Sequence, residues 1–165
     1  MKSEKKPLKC FGFTFIELLV VISIVTLLSV VVVANYRTFS SKRTVRNVAE
    51  ELKGYLVLAQ KSAQAGKKLC EGVYLGTEIN VDITPPIIGC EISSLCEGDA
   101  DPFLECKFSD QEVSFGLQGG SNPLEFDISG IPNDIFILDV SKSDSSETWT
   151  VSIDTSGMID VSKKT

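Results

Sequence analysis

The feature that most constrains this chain is an apolar run near its N-terminus. Between Phe13 and Ala34 the 22 residues contain one ionised side chain, Glu17, and no proline. A helix of that length spans about 33 Å at 1.5 Å per residue, which is enough to cross the hydrocarbon core of a bilayer. A secretory signal has a shorter apolar core that ends at a small-x-small cleavage site, and none follows here. The run therefore predicts a retained membrane-spanning helix.

Charge is distributed unevenly along the chain. The first twelve residues carry four lysines and one glutamate, and the remaining residues carry 12 basic and 21 acidic side chains. Lysines next to a membrane span favour the cytoplasmic side, but basic residues also follow the run, so charge alone leaves the orientation open. The acidic body argues against nonspecific DNA binding, which requires Lys and Arg along the phosphates.

Glu17 is the unusual residue of the apolar run. A carboxylate inside a membrane costs about 2–3 kcal/mol or more, and such residues are functional by default. Glu17 lies only one turn from the start of the predicted helix, so a position wetted by the lipid headgroups is the alternative. The physics of the sequence alone leaves both interpretations open.

The residues from Lys9 to Ile22, Lys-Cys-Phe-Gly-Phe-Thr-Phe-Ile-Glu-Leu-Leu-Val-Val-Ile, closely resemble the signature of type IV prepilins and pseudopilins. The resemblance implies that a prepilin peptidase cuts between Gly12 and Phe13 and that the new Phe13 amine is methylated. It also implies that Glu17 is the assembly glutamate, which pairs with the N-terminal amine of a neighbouring subunit. A glycine suits the scissile bond because it has no side chain and permits many backbone conformations.

The resemblance also implies the organisation and surroundings of the chain. Residues 1–12 would be a cytoplasmic leader that is removed, 13–34 a transmembrane and polymerisation helix, 35–66 its amphipathic continuation, and 67–165 an extracytoplasmic β-rich head. The expected partners are other pilin or pseudopilin subunits, the prepilin peptidase, an inner-membrane assembly platform and the lipid bilayer. The expected location is a single-pass inner-membrane protein that assembles into a periplasmic or extracellular filament.

Beyond the apolar run the helical pattern continues in amphipathic form. Apolar residues recur every three or four positions, which predicts a helix that packs one stripe against a sheet. Gly66 followed by two lysines predicts its C-terminus, so the helix is expected from about Phe13 to Ala65. The stripe consists of Val45, Val48, Leu52, Leu56, Ala59 and Ala63.

After Gly66, β-rich runs separated by turn residues take over, which predicts an α+β fold: a long N-terminal helix packed on an antiparallel sheet. The clearest hairpin is the last one, in which Asp154–Gly157 turns the chain. This closing pattern, two strands around a Ser-Gly turn that end in Ile-Asp-Val, also resembles the closing pattern of the minor pseudopilin and minor pilin branch. The predicted strands are Val73–Leu75, Ile79–Ile83, Glu112–Leu117, Leu124–Ile128, Ile135–Val140, Thr148–Ile153 and Met158–Val161.

The cysteine count predicts a disulfide-bonded head. Of five cysteines, Cys10 lies in the expected leader, and the other four, Cys70, Cys90, Cys96 and Cys106, follow the membrane segment, as in proteins of oxidising compartments. Three pairings are possible. The sequence-local one, Cys70–Cys90 with Cys96–Cys106, is preferred. Reduced thiols or a zinc site are the alternative, but the spacings contain no C-x-x-C pair.

Other functions have weaker support. The segment from Cys90 to Cys106 is predicted to be an irregular, solvated acidic loop. Calcium binding by its carboxylates is the alternative, but the ligand spacing of an EF-hand is absent. A membrane-tethered enzyme would need a catalytic set, and the chain has no histidine, no G-x-S-x-G and no P-loop. A minor pilin that binds DNA through its head would need a basic patch. We therefore expect a filament subunit with no catalytic site, cofactor or metal.

Overall fold

A computed structural model describes residues 14–66, 72–84, 88–97, 100–110 and 112–164. It confirms the predicted α+β class, with one long helix followed by two antiparallel four-stranded sheets. The chain divides after Arg37 into two compact units. The elements are α1 Phe15–Gln64, β1 Tyr74–Asp82, β2 Gly89–Cys96, β3 Ala100–Lys107, β4 Val113–Gly120, β5 Leu124–Asp127, β6 Phe136–Lys142, β7 Trp149–Ile153 and β8 Ile159–Lys163.

The first unit contains the N-terminal half of α1, and its described apolar side chains are exposed. Phe15 is 80% exposed and Leu27 is 72% exposed. Within the residues that the structure describes, no helical segment meets the length and hydropathy of a membrane span. The side chains at 30, 31, 33 and 34 lie outside the described residues. A membrane span over 13–34 therefore stays a prediction.

The second unit is built around the apolar stripe of α1. All six predicted stripe residues are at most 1% exposed, and they form one core with the inward residues of both sheets. Burial of a Leu or Val side chain stabilises a fold by about 1.5–3 kcal/mol, so this stripe fixes which helix face meets the sheets. The helix ends where predicted: Gly66 has a φ of 61°, and its N–H donates to the Ala63 carbonyl at 3.0 Å.

The two sheets have the strand orders β3-β2-β1-β5 and β4-β6-β7-β8, and we call them sheet A and sheet B. Polar side chains of α1 tie it to both. The Gln60 amide donates to the Gly130 carbonyl at 2.9 Å and to the Gly157 carbonyl at 3.1 Å. The Tyr55 hydroxyl donates to the Lys107 carbonyl at 3.1 Å. The helix therefore positions the turns after β5 and β7 as well as the end of β3.

The predicted strands after residue 112 are found with shifted ends, but two earlier predictions were wrong. The two predicted strands Val73–Leu75 and Ile79–Ile83 both fall on a single strand, β1, which spans Tyr74–Asp82. The sequence pattern divided this strand because a register shift at Gly76 and the buried Thr77 interrupt its apolar alternation. The predicted acidic loop between Cys90 and Cys106 is the β2–β3 hairpin. Its buried positions include two serines, which concealed the alternation expected of a strand.

The predicted disulfide bonding is confirmed for Cys90, Cys96 and Cys106, but the preferred pairing was wrong. Cys90 and Cys106 form a disulfide with their Cα atoms 4.7 Å apart, because the register of β2 and β3 places them directly opposite each other. Cys96 lies at the other end of β2 and is also disulfide-bonded. Cys70 lies outside the described residues. The register of the two strands, rather than separation along the sequence, therefore determines which cysteines pair.

Substitution by alanine is expected to change the stability of the fold in opposite directions at Gly120 and at Gly54. Gly120 has a φ of 87°, and a Cβ there would overlap the Ile135 carbonyl oxygen. We expect Gly120→Ala to destabilise the head by about 2–4 kcal/mol. Gly54 is helical with no atom within 4 Å of an added Cβ, so Gly54→Ala should stabilise by about 0.5–1 kcal/mol. Denaturant unfolding of both variants checks this, and equal stabilities would contradict it.

Candidate functional site

The start of α1 is a hydrogen-bonded cap made by Thr14 and Glu17. Glu17 Oε2 accepts from the Thr14 N–H and from the Thr14 hydroxyl, both at 3.0 Å. In return the Glu17 N–H donates to Thr14 Oγ1 at 3.3 Å. This reciprocal pattern is a capping box, with Thr14 at the N-cap and Glu17 at the third helical position. It satisfies backbone donors that the first turn of a helix leaves unpaired.

The capping box gives the carboxylate of Glu17 a role that the sequence analysis missed. The signal was present, since Thr14-Phe15-Ile16-Glu17 is the Thr-x-x-Glu pattern that precedes an apolar helix. The bonds turn the carboxylate back toward the helix N-terminus, where the partial positive charge of the helix dipole favours an anion. Within the described residues, only one of its two oxygens is used. The other is available to a further donor.

The remaining polar groups of the apolar half are hydrogen-bonded within the helix. The Ser23 hydroxyl donates to the Leu19 carbonyl at 2.8 Å, and the Ser29 hydroxyl donates to the Val25 carbonyl at 2.7 Å. Hydroxyls bonded to the preceding turn leave no unsatisfied donor on the surface, so such a helix suits lipid or close packing with other helices. The predicted cleavage and methylation residues, Gly12 and Phe13, lie outside the described residues.

A second notable surface is the outer face of sheet A, which carries four glutamates. The strand register places Glu91 directly opposite Glu105 and Glu78 directly opposite Glu125. The alternate residues of these strands, Ile79, Ile92 and Leu124 among them, point into the core. Like charges that face each other across strands are unfavourable. We call these four residues the acidic face.

The position of Glu78 on the acidic face disfavours its ionised form. Burial raises the pKa of its carboxyl, and the neighbouring charges of Glu125 and Glu91 raise the pKa further. No ion pair of Glu78, Glu91 or Glu105 with a lysine or arginine is found within the described residues. The acidic face is therefore a negative surface that no lysine or arginine of the described ranges neutralises at Glu78, Glu91 or Glu105.

The described residues offer little support for catalysis or metal binding. A cleft of about 770 Å³ at one end of sheet A is lined by Asn80, Glu91, Glu105 and Lys107, among others, and its described lining has no nucleophile–base pair. No group of three or more carboxylates or cysteines within the described ranges is arranged to hold a metal ion. A DNA-binding head would need a basic surface, and the outer face of sheet A carries opposed glutamates instead.

Comparisons with known proteins give one match. The family model described as the prokaryotic N-terminal methylation motif matches residues 8–33. The matched residues include Gly12, Phe13 and the capping box. No curated protein and no solved structure matches the chain significantly.

Glu78 gives a test of the acidic face within a single chain. Because the pKa of Glu78 is raised above its usual 4.5, its ionised form costs stability at neutral pH, and this cost disappears as the pH falls below that usual value. We expect Glu78→Gln to raise the stability at pH 7 by about 0.5 kcal/mol and to have no effect near pH 3.

Thermal unfolding of the full chain in detergent across this pH range measures the effect. Asp160→Asn is the matched control, since Asp160 is an exposed residue of an outer sheet face and lies opposite Ser152 rather than another carboxylate. A Glu78→Gln variant that is less stable than the wild type at pH 7 would contradict the interpretation.

Proposed function

We propose that this chain, which carries the N-terminal methylation motif of type IV prepilins and pseudopilins, is a structural or initiating subunit of a type IV pilus or a type II secretion pseudopilus. The observation that carries the proposal is the coincidence of two features over the same residues. The motif match covers 8–33, and the helix that begins within it exposes its described apolar side chains. An exposed apolar helix requires lipid or other helices around it.

Maturation would proceed at the N-terminus. A prepilin peptidase removes residues 1–12 by cutting the Gly12–Phe13 bond, and the amine of Phe13 is then methylated. The cut leaves one residue, Phe13, before the N-cap Thr14. The new ammonium group therefore belongs to the same short segment as the carboxylate of Glu17. Loss of the lysine-rich leader also removes the charges that hold the N-terminus at the cytoplasmic surface.

Assembly would use the carboxylate of Glu17 as an acceptor for a neighbour's amine. In the single subunit the capping box offsets part of the cost of this charge, since Glu17 already accepts two hydrogen bonds. A neighbouring Phe13 ammonium adds an opposite charge at the oxygen that the cap leaves open. Opposite charges attract strongly in a low-dielectric helix bundle, whereas each alone is costly. This pairing would favour one register between adjacent helices.

The head would lie outside the cytoplasm. The disulfide between Cys90 and Cys106 and the bonded state of Cys96 support this location, because disulfides persist in oxidising compartments. Subunits of this kind are structural rather than catalytic, and the prepilin peptidase and the inner-membrane platform are the expected partners. The resemblance of the last hairpin to minor subunits favours an initiating role for the chain.

The experiment that tests the proposed function separates the charge of Glu17 from its capping role. Glutamine at the third helical position also forms a capping box, so Glu17→Gln retains the cap and loses the charge. We expect Glu17→Gln and Glu17→Ala to be inserted and cleaved normally, and filament yield to fall at least tenfold for both.

Sheared filaments and leader cleavage are both measured by immunoblot in cells that have the assembly machinery. Thr14→Val is the matched control for the cap, since it loses the hydroxyl but leaves the carboxylate in place. If Glu17→Gln forms filaments as well as the wild type does, Glu17 acts only as a helix cap and the assembly role is wrong.

A further inference from the structure

The exposed apolar side chains of the second unit are concentrated at the end where α1 terminates. Of the eight large hydrophobic side chains that are exposed in the described part of this unit, five lie there. Met158 is 68% exposed and Ile128 is 61% exposed. Apolar surface gathered in one place on a protein marks a site of interaction with another molecule. We call these five residues the end patch: Leu75, Ile128, Ile131, Ile135 and Met158.

The end patch is built from strand ends and turns that α1 holds together. Gln60 donates to the carbonyls of Gly130 and Gly157, so the turns after β5 and β7 meet at the last turns of the helix. A Cβ added to Gly157 would lie 3.4 Å from the Gly130 carbonyl oxygen, so the two turns are neighbours. The register of β1 and β5, continued by one position, places Leu75 beside Ile128. The patch therefore extends across one end of the second unit.

A groove of about 280 Å³ lies within the end patch, at the end of sheet B. Ile135 and Met158 border it, and Ile137 and Ile153 contribute further apolar surface. Sites for small molecules have volumes of about 300–1,000 Å³ and enclose most of their ligand. A groove of this size whose two bordering side chains are themselves exposed suits the apolar side chains of a protein partner better.

Carboxylates surround the end patch. None of the four forms an ion pair with a lysine or arginine of the ranges that the structure describes. A partner that covers the patch must offer cations to these groups, since a carboxylate that loses water without gaining a partner is costly. The four exposed carboxylates belong to Asp127, Asp134, Asp154 and Asp160.

Two copies of this chain do not complement each other through their end patches. A contact between identical patches is two-fold symmetric, so the second units would meet end to end with their helices pointing toward each other. Subunits that are anchored in one membrane and assemble into one filament share a single direction. Such a contact would also place the four carboxylates of one copy against those of the other, which is repulsive.

The opposite end of the second unit does not complement the end patch either. Lys42 precedes Gln60 by 18 residues, which is about 27 Å of helix. At that end the Glu147 carboxylate binds Lys42 at 3.3 Å and Lys163 at 2.8 Å, so these charges are already paired. Among the described residues there, Phe39 is the exposed large hydrophobic side chain. Stacking one copy on another would therefore place ion pairs against apolar side chains.

We propose that the end patch is the docking surface for a different subunit of the filament, whose matching surface is apolar and bordered by lysine or arginine. The inference rests on the proposed function and deepens it, because a chain that binds a different subunit ahead of itself has an initiating position rather than a repeating one. The contact lies beyond the last turns of α1. It leaves the exposed side of the helix free to pack against other helices in the filament core.

Photocrosslinking in cells that have the assembly machinery tests which protein covers the end patch. Benzoylphenylalanine replaces Met158, and the adducts formed on illumination are identified by mass spectrometry. We expect an adduct between this chain and a different protein that carries an N-terminal methylation motif. Addition of Ile131→Lys should lower its yield by about fivefold or more, since a charge at the centre of a contact has a cost of this order. An adduct of two copies of this chain, or no adduct, would overturn the proposal.

Lysine substitutions test whether assembly requires the end patch. Ile128 and Ile131 are about half exposed or more, so the melting temperatures of Ile128→Lys and Ile131→Lys in detergent should equal that of the wild type. We expect the number of filaments per cell to fall by about fivefold or more, with subunit level and leader cleavage unchanged. Ser146→Lys is the matched control, since it adds the same charge at an exposed position between β6 and β7, beside Glu147. Normal filament numbers from the folded patch variants, or an equal loss with the control, would contradict the docking surface.

The pair Asp134→Lys with Asp160→Lys tests the charge of the partner. Both residues are exposed, and we expect the reversed charges to lower the yield of the Met158 adduct by about fivefold or more. An unchanged adduct would show that the partner does not present cations here. A wild-type chain that keeps residues 1–12 and is absent from filaments would overturn the proposed function. A cleaved chain that reaches filaments with its end patch uncovered would overturn the docking surface alone.

Discussion

The apolar surface of the first half of α1 is the constraint on which the rest of the account depends. Its described leucine, isoleucine and valine side chains are mostly half exposed or more, whereas the leucines and valines of the buried stripe of α1 in the second unit have no exposed surface. Each such side chain gains about 1.5–3 kcal/mol when it leaves water. A surface of this extent favours an environment of lipid or of other helices over water. The hydroxyls of the segment are bonded to its own carbonyls and do not oppose either environment.

The parts of the fold that a periodic pattern specifies were predictable. The buried stripe of α1, the stop at Gly66 and the last hairpin follow from residue spacing and turn chemistry, because each depends on neighbours within a few positions. The class of the fold follows from the order of these elements. The candidate site was predictable in part, since Glu17 stands out as the one charge in an apolar run.

The parts that depend on contacts between distant residues were not predictable. The β2–β3 hairpin was missed because buried serines and surface glutamates hide its alternation, and the Cys90–Cys106 pairing depends on the register of that hairpin. The acidic face likewise appears only when the register brings Glu78 opposite Glu125. The capping box is different, since its Thr-x-x-Glu pattern is local. The charge of Glu17 is conspicuous in an apolar run, and it hides the second role of the carboxylate as a hydrogen-bond acceptor.

The central claim is that a charged leader is removed to free the apolar helix for assembly. The most direct measurement is the intact mass of the protein isolated from cells that have an active prepilin peptidase. The account predicts a chain of residues 13–165 with one methyl group on the Phe13 amine and four fewer hydrogens than the reduced form. A membrane fraction that contains only the unmodified chain beginning at Met1 would contradict it.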